Sequence, residues 1–167
     1  MIVDAVFVKK TTSVSWSEVL WAFRHGRVGW KFAVEVAQDR IDGGSSDEVE
    51  VRLSRVGKDE AWTVEDLMVQ LAGNDPVAEP VSKRKWLYIT LLYIFEHQSE
   101  FTNPLKTVEA VYADFDYPDE MVQFVGFMPS VDNYDPSKHT PAENKARMFE
   151  KWKLYLLAAK DEFGSVG

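Results

Sequence analysis

Ten residues set the strongest limit on this chain: Trp86-Leu87-Tyr88-Ile89-Thr90-Leu91-Leu92-Tyr93-Ile94-Phe95. Nine of the ten are apolar or aromatic, so no helical register leaves a polar face. A membrane span needs about 20 such residues. Here Lys83-Arg84-Lys85 closes the run on one side and Glu96-His97 on the other. A helix without a polar stripe belongs at the centre of a helical assembly. The expectation is an all-α fold of six to eight helices around Trp86–Phe95, forming one α-helical domain over residues 1–167.

The flanking segments read as helices with their own start and stop signals. Ser15 and Glu18 have the spacing of a capping box, and His25-Gly26 closes that helix. Trp30, Ala33, Val34, Ala37 and Ile41 form a helical stripe. The short Gly26–Gly29 link predicts that these two helices pair as an antiparallel hairpin. Asp47 to Val56 fits either a strand or a helix, and its helical surroundings favour a helix. Ile2 to Val8 is rich in β-branched residues and reads as a possible minor strand. Thr63 with Asp66 marks another start. Asn103-Pro104 opens a helix to about Phe115, and Asp116 is placed to cap a short helix beginning at Pro118. Thr140-Pro141-Ala142-Glu143 opens the last helix, which runs to about Phe163.

Lys83-Arg84-Lys85 sits where cations oppose the helix dipole. Two explanations come first, pairing with the chain's own acidic stretch or a helix that starts earlier, near Pro80; a third is an anion or phosphate site.

Composition removes several chemistries. With no cysteine there is no disulfide, thiolate metal site or cysteine nucleophile. His25, His97 and His139 show no metal-ligand spacing, and no nucleophile elbow, phosphate loop or dinucleotide fingerprint occurs. No catalytic residue, metal or cofactor is expected. A net charge of −8 argues against a nucleic-acid partner. The N-terminus lacks the cationic region of a signal peptide, so a cytoplasmic protein is expected, monomeric or homodimeric, with no membrane contact.

The distribution of charge says more than its total. Thr107 to Ser137 holds seven acids (Glu109, Asp114, Asp116, Asp119, Glu120, Asp132 and Asp135) and no Lys or Arg. Tyr112, Phe115, Tyr117, Phe124, Phe127 and Tyr134 are interleaved with them. Carboxylates steer a basic protein, and aromatics anchor it. The expected binding residues are Asp114, Asp116, Tyr117, Asp119, Glu120, Asp132, Tyr134 and Asp135. The alternative is a metal-dependent hydrolase using Asp114, Asp116 and Glu120, with His139. The spacing of these acids lacks the Gly and the distal Glu of a calcium loop.

Several stretches carry a resemblance. They are Trp16-Ser17-Glu18-Val19-Leu20-Trp21, Lys85-Trp86-Leu87-Tyr88, Tyr112-Ala113-Asp114-Phe115-Asp116-Tyr117-Pro118, Phe124-Val125-Gly126-Phe127-Met128-Pro129 and Phe149-Glu150-Lys151-Trp152. Together they resemble the bacterial family catalogued as domain of unknown function 2247, over nearly the whole chain. The Tyr112–Pro118 run is the most specific. The family defines no catalytic residues. Bacterial families of this kind often include immunity proteins that neutralise a neighbouring toxin. By that analogy, the resemblance implies an immunity-type inhibitor.

Overall fold

The structure, a computed structural model, describes residues 1–164. Its regular elements are all helical: α1 (Ala5–Thr11), α2 (Trp16–Arg24), α3 (Trp30–Asp42), α4 (Glu48–Ser54), α5 (Val64–Ala72), α6 (Glu79–Glu96), α7 (Pro104–Asp114) and α8 (Pro141–Phe163). Short 3-10 segments occupy Lys58–Thr63, Gln98–Glu100, Asp119–Phe124 and Pro136–Lys138. The all-α expectation is correct. The chain forms two compact units, Met1–Trp86 and a second from Leu87 onward.

In the first unit, the stretch expected as a possible strand is helical from Ala5 onward. Asp4 accepts the Phe7 amide at 3.1 Å and caps α1. No strand exists among the described residues to pair with it, and a lone β-branched segment has no ladder to satisfy its backbone. Lys9, in the last turn of α1, bridges to Asp39 of α3 at 3.2 Å.

The Ser15–Glu18 capping box forms as expected: Ser15 Oγ accepts the Glu18 amide at 3.2 Å, and Glu18 Oε2 accepts the Ser15 amide at 3.0 Å. Gly26, with φ +68°, turns the chain after His25, and the Arg27 amide returns to the Ala22 carbonyl at 2.8 Å. The expected hairpin pairing does not follow. α2 packs against α5 and α3 against α4.

The ambiguous Asp47–Val56 stretch is helical. Asp47 accepts the amides of Val49 and Glu50, each at 2.9 Å. Thr63 does not cap α5. It already lies in helical backbone, and its hydroxyl donates to the Glu60 carbonyl at 2.7 Å.

α6 starts at Glu79, as the earlier-start explanation requires, so Lys85 lies in its second turn. For Lys85 the partner is Glu18, outside the acidic stretch. Lys85 Nζ donates to Glu18 Oε2 at 2.7 Å and to the Ser13 carbonyl. The Trp86 indole donates to the Glu18 carbonyl at 2.9 Å. Trp86, Val19, Ala22, Ala33, Leu53 and Met68 are fully buried. Trp62 lies on the surface, 79% exposed.

In the second unit, Asn103 caps α7 by accepting the Lys106 amide at 3.3 Å, with Pro104 in the first turn. Thr140 and Glu143 form the capping box of α8. Along α6, Leu87, Tyr88, Ile89, Leu91 and Ile94 are buried, as expected for a helix with no polar face. Trp152 of α8 is fully buried. Phe95 meets it edge-on at 5.0 Å, and Phe149 and Phe124 stack on it at 5.8 and 6.4 Å. The short helix expected after Pro118 is a 3-10 segment. Its N-cap position is Pro118, not Asp116.

Candidate functional site

The acidic, aromatic window begins at the C-terminal end of α7. Asp114 is the last helical residue and is exposed. An acid there faces the negative pole of the helix dipole, an unfavourable position. Phe115 is only 1% exposed and draws the chain inward. The next two residues, Asp116 and Tyr117, both take left-handed backbone, with φ of 60° and 58°. Asp tolerates this region, but an aromatic residue there is unusual, and each such residue costs roughly 1–2 kcal/mol. The Tyr117 amide closes the turn on the Tyr112 carbonyl at 2.8 Å.

This turn sends the Tyr117 side chain outward, where it is 61% exposed. Its ring meets the buried Tyr112 ring edge-on at 5.2 Å. Phe127, 60% exposed, lies 5.8 Å from the same ring. Met121 and Phe124 bury one side of the 3-10 segment, leaving Asp119 and Glu120 exposed. Asp114, Asp116, Tyr117, Asp119 and Glu120 therefore form one exposed stretch of chain. Phe127 was not singled out from the sequence, because nothing local distinguishes it from the buried Phe124 three residues earlier.

Asp132, Tyr134 and Asp135 are engaged differently. Arg147 Nη2 of α8 donates to Asp132 Oδ1 at 2.7 Å and to Oδ2 at 2.5 Å, and Lys151 approaches at 3.7 Å. The Arg147 guanidinium lies 3.9 Å from the centre of the Tyr134 ring. The His139 ring stacks on Tyr134 at 4.5 Å. The Tyr134 hydroxyl donates to Asn144 Oδ1 at 2.5 Å. Tyr134 is thus half-buried and held to α8, with less free surface than Tyr117. Asp135 accepts from the Ser137 hydroxyl at 2.6 Å and its amide at 3.0 Å, which hold its carboxyl below the usual range. His139 Nδ1 lies 3.0 Å from Glu143 Oε2.

Sequence spacing places Arg147 one turn from Glu143, yet Arg147 reaches Asp132, fifteen residues away. That partnership needs the tertiary fold and has no local signal. A cavity of about 190 Å³, bounded by Val125, Met128, Tyr134, Asn144, Arg147 and Met148, adjoins this latch.

Desolvation raises the Asp132 carboxyl, but the Tyr134 amide, the Arg147 hydrogen bonds and the charges of Arg147 and Lys151 outweigh it and hold it below 3.8. A depressed folded value stabilises the latch above about pH 3.8 and is lost as pH falls through the folded value. Hydrogen exchange at the Tyr134 amide, taken relative to the intrinsic rate at the same pH, should therefore accelerate as pH falls through the folded value. In Asp132→Asn, it should already be fast at neutral pH.

Among the described residues, no three His, Asp or Glu side chains gather where they could hold a metal ion, and Asp114, Asp116, Glu120 and His139 do not form such a group. No described helix is long and apolar enough to cross a membrane. No curated protein and no solved structure matches the chain. A family model described as uncharacterized protein conserved in bacteria, domain of unknown function 2247, matches residues 5–160, and the chain belongs to that family.

Proposed function

We propose that this chain is a cytoplasmic protein-binding module, an immunity-type inhibitor that takes a basic protein partner on the Asp114–Glu120 surface. The observation that carries this reading is the left-handed pair Asp116 and Tyr117, which holds Tyr117 61% exposed within an acidic segment. Left-handed backbone at an aromatic residue is strained, and strain of this kind concentrates at binding sites. Phe127 gives a second exposed ring beside it. Asp114, Asp116, Asp119 and Glu120 supply the field that attracts a cationic surface.

The test is capture from native lysate on the immobilised protein, with bound proteins identified by mass spectrometry. The wild type should retain a basic protein. The variant Asp114→Lys/Asp116→Lys/Asp119→Lys should bind it at least about tenfold more weakly, and added salt should slow association. Equal retention by both proteins would defeat the proposal.

A further inference from the structure

We infer that the Tyr117–Phe127 surface recognises an arginine side chain of its basic partner, in preference to lysine. This rests on reading Asp114–Glu120 as the partner site. Two features of the structure lead to it. First, Tyr117 and Phe127 both expose their rings and both contact buried Tyr112, at 5.2 and 5.8 Å. Exposed aromatic faces attract cations, and a planar guanidinium stacks on them as an ammonium cannot. Second, the carboxylates of Asp119 and Glu120 follow Tyr117 by two and three residues and are exposed. Arginine can lie over a ring while its N–H groups reach a carboxylate, whereas lysine offers a single point charge.

The same chain shows that arrangement elsewhere. Arg147 lies 3.9 Å from the centre of the Tyr134 ring while it donates to both oxygens of Asp132, two residues before Tyr134 in sequence. At Tyr134 the arginine is supplied by α8. At Tyr117 the ring is 61% exposed, and an incoming chain can supply it.

The experiment titrates the whole protein with two blocked peptides of equal charge, hexa-arginine and hexa-lysine, by calorimetry at low salt. Amide and ring chemical shifts locate the contact. Hexa-arginine should bind about three- to fivefold more tightly, with the largest shifts at Tyr117, Phe127 and Asp119. In Tyr117→Leu/Phe127→Leu the two affinities should converge, and Tyr117→Phe should keep the preference. The exposure of both rings makes these variants neutral to folding.

Equal affinities in the wild type, a preference that survives in the double leucine variant, or shifts centred elsewhere would each overturn the inference. Equal affinities that both weaken in Asp114→Lys/Asp116→Lys/Asp119→Lys would leave the partner site standing while removing its arginine selectivity. Failure of both peptides to bind would remove the inference together with its foundation.

Discussion

Lys85→Ala should lower the stability of the protein by about 3–5 kcal/mol, read as a drop in the urea midpoint, because it leaves the Glu18 carboxylate charged and without its counter-ion. The two side chains are only 12% and 9% exposed, and their polar atoms meet at 2.7 Å. Glu18 has a second duty in the capping box of α2, where it accepts the Ser15 amide. It cannot swing into water to recover its solvation without giving up that cap. The pair itself contributes less than its rupture suggests, since bringing both charges out of water has already cost much of the Coulomb energy. Lys85→Met/Glu18→Gln removes both charges and keeps a capping side chain at position 18, so it should lie within about 1.5 kcal/mol of the wild type. If the double variant lost as much as the sum of the singles, the two residues would be energetically independent and this account would fail.

Helix ends were legible in the sequence where the signal is carried by three or four consecutive residues. Ser15 with Glu18, Asn103 with Pro104 and Thr140 with Glu143 all cap as their spacing predicts. What depends on distant chain was not legible. Ile2 to Val8 has the residue types of a strand, but without a second strand a capped helix is the better use of its backbone hydrogen bonds. The Gly26–Gly29 link permits a hairpin, yet α2 and α3 pack on α5 and α4, a choice made by side-chain faces far along the chain.

The candidate site divides in the same way. Seven acids without a base are visible by counting. That Arg147 and Lys151 hold Asp132 to α8, while Asp119 and Glu120 stay exposed, follows only from where α8 lies within its unit. Asp116 reads locally as a cap, because its side chain has that chemistry. The left-handed turn that replaces the cap runs against the intrinsic preference of Tyr117, so no propensity could forecast it.

Trp152 and Trp86 are both fully buried, and a comparison of their substitutions separates packing from hydrogen bonding. Trp152→Ala should cost about 3–5 kcal/mol, since it empties a site enclosed by Phe95, Phe124 and Phe149. Trp152→Phe should behave differently. The Trp152 indole N–H is buried and has no hydrogen-bond partner among the described residues. A buried donor left unsatisfied costs about 1–3 kcal/mol, and phenylalanine removes it together with part of the ring volume. The two effects oppose each other, so Trp152→Phe should fall within about 1 kcal/mol of the wild type. At Trp86 the indole donates to the Glu18 carbonyl at 2.9 Å, so Trp86→Phe loses that bond as well as volume. Its expected cost is about 2–3 kcal/mol. Urea titrations of the two phenylalanine variants, followed by circular dichroism, give the comparison directly. Equal losses at both positions would mean that ring volume alone sets the cost, and that the unsatisfied indole of Trp152 carries no penalty.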